Sequence, residues 1–357
     1  MKYSDFFETY QEFIRRCPEE EFHPDESYVF LSDLHMGNGS SRDDLERNRE
    51  LITTLLHWYR ENKYILILNG DIEDLSKFSL SVIRRAWPML YDIFSEFHRA
   101  GRLRKITGNH DECAFFPATY PYPLLDGLVL RYGHDRLFVF HGHQSTDRYV
   151  RFGAVSHLLI RFLAKPLHIN NTSVSKDSRR RYSTEKSIYR AANTLGVVAI
   201  TGHTHRPLFE SLSKFDRIRF TVEELLMEYT GAEPGRKTEI EGEIAMLREE
   251  MDNLSSSQRK RRKNQSLYGD SPFLIPCVFN SGSATGKHGI TTLEIASGQI
   301  SLVYWTTGKK TGPYLKKEAI KKTAVAEHCL RYILQSDTLD TIFTRIRLLG
   351  KSSGNGK

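Results

Sequence analysis

A chain of 357 residues, 39% hydrophobic and 27% charged, is long enough for one large domain with insertions and can bury a sizeable core. It has no apolar run near the ~18 residues that span a bilayer, and four scattered cysteines without a CxxC pair argue against a structural zinc site or a disulfide framework. Lys and Arg outnumber Asp and Glu by 51 to 44, so the net charge is +7; nucleic acid, an anionic membrane face and an anionic substrate are all admitted as partners.

Residues 1–26 read as a helix and a polar lead-in. The charged stretch from Met1 to Cys17 has no secretory h-region, so a cytoplasmic location is expected, with the inner face of the membrane as a site of contact. Tyr28 to Leu31 is a buried-strand pattern, and 43–62 a helix with Leu51, Leu55 and Tyr59 on one face. Strands are expected at 64–68, 103–107, 137–140 and 197–201, with a helical stretch at 80–99 broken by Pro88. Three more follow at 277–280, 290–295 and 300–305, which argues for a layered α/β domain. Its core is placed at about 27–143, 194–209 and 273–306, within a single domain of residues 1–350. Residues 144–193 read as a helical cap insertion and 210–272 as a charged helical arm ending in Arg259-Lys260-Arg261-Arg262-Lys263. Residues 314–349 read as a C-terminal helical segment and 350–357 as a disordered tail. The four cysteines are expected to be free, buried thiols.

Five short segments follow the strands: Asp33-Leu34-His35, Gly70-Asp71-Ile72-Glu73-Asp74, Gly108-Asn109-His110-Asp111, His141-Gly142-His143 and Gly202-His203-Thr204-His205. Strand ends in an α/β fold converge on one edge, where loops build sites. Asp33 and His35, like His203 and His205, are two apart, and on an extended strand end such residues point the same way. Asp71 has two oxygens with which to bridge two cations. Asp74 is open to three roles: ligand, helix cap or orienter of another group. Asn109 offers a neutral oxygen, and His110 beside it exchanges a proton near neutral pH. His141 ends another apolar strand. Mixed oxygen and nitrogen ligands without thiolate suit Mn, Fe, Zn or Co.

In this order the five segments resemble the calcineurin-like metallophosphoesterase superfamily, over most of residues 27–306 outside the two insertions. The resemblance implies a four-layer α/β/β/α sandwich with two divalent metal ions, Mn²⁺ first and Fe, Zn, Co or Ni next. It places Asp33, His35, Asp71 and His205 on one ion and Asn109, His141 and His203 on the other, with Asp71 bridging. His110 then lies beyond the metals, oriented by Asp74, as the catalytic pair. The implied reaction is hydrolysis of a phosphate ester or pyrophosphate by metal-bound hydroxide.

Leu75 after Asp74, Thr107 before Gly108, Asp111 after His110 and His143 after Gly142 depart from the protein-phosphatase branch. The layout is more similar to the bacterial UDP-2,3-diacylglucosamine pyrophosphatases, which carry a helical cap between the fourth and fifth motifs. Here that stretch mixes Arg148, Arg151, Arg161 and Lys165 with Phe152, Leu158 and Phe162, as a phosphorylated lipid or a membrane surface requires. A phosphorylated small molecule or lipid-nucleotide is therefore the expected substrate. A second basic cluster runs from Lys176 to Arg190. The nearest rival is a phosphodiesterase or nuclease acting on nucleic acid or nucleotides, favoured by the basic excess. The rival of another class is a non-catalytic scaffold, disfavoured because every motif position holds a competent ligand.

Overall fold

The structure is a computed structural model and describes residues 3–23, 25–145, 178–209, 222, 225–226, 228–252, 275–308 and 319–350. Helix α1 (Tyr3–Arg16) and strand β1 (Glu19–Glu21) precede β2 (Tyr28–Leu31), α2 (Arg49–Glu61) and β3 (Ile65–Asn69). Then come α3 (Leu80–Ala86), α4 (Pro88–Arg99), β4 (Leu103–Ile106), β5 (Leu124–Leu125), β6 (Gly127–Tyr132) and β7 (Asp135–Phe140). After them lie α5 (Ser178–Leu195), β8 (Val198–Thr201), α6 (Pro234–Asp252) and β9 (Val278–Asn280). The described chain ends with β10 (Ile290–Ala296), β11 (Gln299–Thr306), β12 (Lys321–Ala326), β13 (Cys329–Thr338) and α7 (Leu339–Leu349).

The strands form two sheets, one in the order β1-β6-β7-β8-β9 and the other in the order β12-β13-β11-β10-β2-β3-β4-β5. Alternation along β2 and β3 explains the layering. Tyr28, Phe30, Ile65 and Ile67 face the core shared with the smaller sheet. Val29, Leu31, Leu66 and Leu68 face the other way, onto Leu55 and Tyr59 of α2 and Leu90, Phe94 and Phe97 of α4. On the far side of the smaller sheet, Tyr10 and Phe13 of α1 meet Phe138 and Phe140 edge-on at 5.2–6.0 Å. Each such fully buried ring contributes about 2 kcal/mol by its burial. The result is helix, sheet, sheet, helix. Pro88 divides the 80–99 stretch because it opens α4 at its first turn, where no N–H is needed.

Strands β2, β3, β4 and β5 run parallel, as do β7, β8 and β9. The carboxyl ends of the two groups meet: Asn69 Nδ2 donates to Phe140 O at 3.1 Å and to Ile200 O at 3.4 Å. Those bonds join the two sheets at the edge where the five segments emerge.

The expected helix over 314–349 is corrected. Strands β12 and β13 occupy Lys321–Thr338, and only Leu339–Leu349 is helical. Leu330, Ile333 and Leu334 fit a helical face by spacing, but β13 pairs with β11 from Leu330 to Thr338, with a bulge at Leu334, and covers an edge that would otherwise stay open. β1 and β6 were not anticipated either. The thiol expectation is also corrected in part: all four cysteines are free, Cys277 and Cys329 are buried, Cys17 is partly so, and Cys113 is exposed on a short turn. Of the two insertions, α5 and α6 are described. Arg148, Arg151, Arg161, Lys165, Lys176, the Arg259–Lys263 run and the tail 351–357 lie outside the described residues. Among the described residues no helix is long and apolar enough to cross a membrane.

Candidate active site

Beyond β2 the backbone turns left-handed twice, at Asp33 (φ 54°) and His35 (φ 49°). Asp71 (53°), His203 (65°) and His205 (55°) do the same. Five of the seven non-glycine residues with positive φ among the described residues are thus in these segments. Each such residue costs roughly 1–3 kcal/mol, so strain is concentrated here. The extended strand-end geometry expected for the i, i+2 pairs is therefore corrected: left-handed turns bring each pair together. The amides of Asp33, His35 and Met36 donate to the carbonyls of Gly70, Asp71 and Ile72 at 3.1, 2.9 and 2.8 Å, stitching the first turn to the second. Two glycines are obligatory. A Cβ on Gly70 (φ 82°) would lie 2.4 Å from His141 Nδ1, and one on Gly108 would lie 2.2 Å from Asp71 Oδ1.

Each carboxylate commits one oxygen and turns the other inward. Asp33 Oδ2 accepts from the His203 amide at 3.0 Å, and Oδ1 lies 3.1 Å from His205 Nε2. Asp71 Oδ1 accepts from the His110 amide at 2.8 Å, and Oδ2 lies 3.2 Å from His141 Nε2 and 3.8 Å from His35 Nε2. His141 Nδ1 donates to Asn69 O at 2.9 Å, which turns Nε2 toward the site. His35 Nε2 and His205 Nε2 face each other at 3.1 Å.

Two groups of ligand atoms result, Asp33 with His35 and His205, and Asp71 with His141 and His203, each within 4.8 Å. A third group, His35, Asp71 and His110, links them. Asp33 Oδ1, Asn109 Oδ1, His141 Nε2 and His203 Nε2 are all buried without a hydrogen bond; the short carboxylate approaches of His141 and His205 lack hydrogen-bond geometry. Buried polar atoms are rarely left so. Four of them, with facing imidazole nitrogens and a hard, thiolate-free donor set, fit divalent cations.

Charge reinforces this. Burial raises the Asp71 carboxyl, but His141 and His110 outweigh it and hold it well below the carboxylate range. Burial, aided by His141, drives His203 down to about 3, so its ring is neutral. Burial lowers His141 as well, yet Asp71 lifts it to about 10. To hold a divalent cation, His141 would have to give up that proton. His110 is lowered by burial and lifted by Asp71 and Asp74 to about 9.

His110 Nδ1 lies 3.0 Å from Asp74 Oδ1. Ser76 Oγ donates to the same oxygen at 2.6 Å, and Lys77 Nζ reaches Asp74 Oδ2 at 2.7 Å. The side chains of His110 and His205 are each 24% exposed, whereas Asp33, Asp71 and His141 are buried. The first two line the open side. His143 packs beside the inner pair, its ring 5.5 Å from His141 and 6.3 Å from His203.

Three residues were missed. Asp111 Oδ1 accepts from the amides of Asp71 (2.9 Å) and Gly108 (2.6 Å), and Oδ2 from the amide of Ile72 (2.9 Å) and Lys105 Nζ (3.1 Å). Lys105, fully buried on β4, also donates to Glu73 Oε2 at 2.6 Å. Glu73 Oε1 takes the hydroxyls of Tyr91 and Tyr120 at 2.9 and 2.8 Å. This network clamps the turn that carries Asp71 to the turn that carries Asn109 and His110. The available signal was Lys105 in the strand Leu103-Arg104-Lys105-Ile106 just ahead of the third motif, with two carboxylates inside the motifs.

The calcineurin-like phosphoesterase family model matches residues 27–207, just over half of the chain. No curated protein sequence matches. Among solved structures, Yfce, a phosphoesterase from E. coli, is 13% identical over 77% of this chain and 91% of its own, at a TM-score of 0.32. A conserved uncharacterized protein of Streptococcus pneumoniae TIGR4, described as a predicted phosphoesterase, is 14% identical over 81% and 93%, at 0.30. A single mutant of Vps29 from Entamoeba histolytica is 14% identical over 79% and 93%, at 0.34. Nothing about activity follows from likeness at that level; the family match over the five segments carries the assignment. The chain belongs to the calcineurin-like phosphoesterase family, hydrolases acting on phosphoric esters.

Proposed function

We propose a binuclear metal-dependent phosphoesterase. Asp33, His35 and His205 would hold one divalent cation and Asn109, His141 and His203 the other, with Asp71 shared between the two sets. The observation that supports this best is the set of four buried side-chain atoms without hydrogen-bond partners on the strand-end segments, three of them on residues of the clustered ligand groups. Cations bound there polarise phosphoryl oxygens and lower the pKa of water. Mn²⁺ is the first cation to test with this mixed donor set.

The remaining work falls to the chain's own groups. Asp74 accepts the Nδ1 proton of His110 and so fixes the plane of the ring, while Ser76 and Lys77 hold Asp74 itself. Nε2 of His110 is left to donate to the departing oxygen of the ester. His110 is thus the catalytic residue and Asp74 its positioning residue.

The bond cleaved is a phosphate ester or pyrophosphate, and the substrate class to test first is a nucleotide-linked lipid. That choice rests on the sequence of 144–193, where basic residues alternate with apolar ones, and it carries with it contact with a membrane surface. The net charge and the Arg259–Lys263 run make nucleic acid the second class.

Protein reconstituted with Mn²⁺ is expected to carry two metals per chain and to hydrolyse bis-p-nitrophenyl phosphate. Full metal loading without hydrolysis would overturn the proposal. UDP-diacylglucosamine, a dinucleotide polyphosphate and an oligonucleotide then separate the substrates, and failure to cleave the first ends the lipid reading.

A further inference from the structure

A second feature of the open side bears on what the ester carries. His205 forms one wall of a pocket of about 210 Å³. The hydroxyl residues Ser283, Thr285 and Thr291 and the backbone at Gly286 and Gly289 line the rest, with Pro207 as an apolar edge. No lysine, arginine or carboxylate is among the described residues that line it.

The loop behind the pocket is pinned from several sides. Asn48 Nδ2 donates to Ala284 O at 2.6 Å and to Gly286 O at 2.9 Å. Tyr304 Oη and Thr306 Oγ1 donate to His288 O at 2.7 and 3.0 Å. Ser283 Oγ donates to Asp33 O at 3.0 Å, which ties the pocket to the metal-site turn.

The direction of the hydrogens tells what the pocket takes. The Ser283 proton is spent on Asp33 O, so in the 2.8 Å contact with Thr285 Oγ1 the threonine must be the donor. The Thr285 amide also donates to Ser283 Oγ at 3.1 Å, which fills that oxygen. Thr285 Oγ1 is left with lone pairs and no proton. A group ending only in acceptors, such as a second phosphate, finds no lysine or arginine there and has no proton to give Thr285 Oγ1, whereas a hydroxyl can both donate to Thr285 and accept from Thr291. An acyl chain finds only Pro207 as apolar wall. A ring bearing hydroxyls can donate to Thr285 Oγ1. The size agrees, since a cavity of about 150 Å³ already holds a benzene ring.

We infer that this pocket binds the sugar of the substrate, so that the ester cleaved is a sugar phosphate or a nucleotide. The inference rests on the proposed phosphoesterase reading, with the phosphate at the metal site beside His205. The same pocket then sets specificity between sugar-bearing and simple phosphates.

Calorimetric titration of Mn²⁺-loaded protein with ribose 5-phosphate and with inorganic phosphate tests it. The wild-type chain is expected to bind the sugar phosphate about tenfold more tightly than phosphate. Thr285→Phe, which fills the pocket, is expected to bring that ratio to about one. Thr285→Val, which keeps the shape and removes one acceptor, is expected to lower it about two- to tenfold. Equal binding of the two ligands by the wild-type chain overturns the inference, as does a ratio unchanged in both variants or an equal loss for both ligands. None of these readouts requires turnover, so the pocket can fail while hydrolysis of bis-p-nitrophenyl phosphate stands, and the reverse.

Discussion

Two buried clusters of charge, one within the larger sheet and one at the strand ends of both sheets, are built oppositely. Around Glu294 every valence is met: Oε1 accepts from Tyr59 Oη at 2.7 Å and from Arg331 Nε at 3.0 Å, and Oε2 takes Arg331 Nη2 and Tyr64 Oη. Trp305 Nε1 completes the ring of donors on Tyr59 Oη at 2.9 Å. At the strand ends, by contrast, Asp33, Asn109, His141 and His203 each bury a polar side-chain atom without a hydrogen-bond partner. A saturated cluster stabilises the fold and needs nothing further. An unsaturated one costs about 1–3 kcal/mol per group unless something arrives to fill it. The Lys105–Glu73–Asp111 network stands between the two kinds: it is saturated, yet its donors and acceptors include the backbone of the site. The lesson is that depth alone does not mark the candidate site here; atoms without partners gathered with clustered ligand groups do.

The sharpest way to break this contrast is Asp71→Asn. It removes the oxygen charge that faces both His35 and His141, and turnover should fall to background with metal content reduced. A variant that keeps both metals and its rate removes Asp71 as the bridge. His110→Ala comes next. Loss of a positioned proton donor should lower kcat by about 10²–10⁴-fold with both metals retained. Loss of metal instead would make His110 a ligand.

Lys105→Met and Arg331→Met compare the two saturated clusters directly. Each strands a buried carboxylate and should cost about 3–5 kcal/mol of stability, read from denaturant unfolding. Only Lys105→Met should also weaken metal affinity, by roughly 10–100-fold, because Asp111 holds the ligand turns. An equal fall in affinity for both would erase the distinction between clamp and scaffold. The smallest effect is expected from Ser76→Ala. It removes one of the hydrogen bonds that hold Asp74 against His110, and kcat should fall about two- to tenfold, with KM and metal content unmoved.

The site residues were legible because each rides on a local pattern. Apolar strands such as Ile65–Asn69 end in a glycine and a carboxylate, and the i, i+2 spacing of Asp33 with His35 and of His203 with His205 survives in the fold. What misled was the geometry behind that spacing: left-handed turns, not extended ends, bring those side chains together. The strands β12 and β13 were hidden for a related reason. Leu330, Ile333 and Leu334 satisfy a helical period as well as they fill a strand, and only the presence of β11 decides between them.

The amino-acid order by itself pointed to the layered α/β class, the strands that lead into the five segments and the side chains proposed to hold a cation, since all of these are written in spacings of two to four residues. Tertiary structure alone decided which oxygens and nitrogens are left without partners, how Lys105 joins Glu73 to Asp111, and how Asn48 and Asp33 shape the pocket at Thr285. Asn48 and Ala284 are 236 positions apart, and hydrogen bonds over such distances leave no period in the chain. They follow from how the sheets pack, which is a property of the whole molecule.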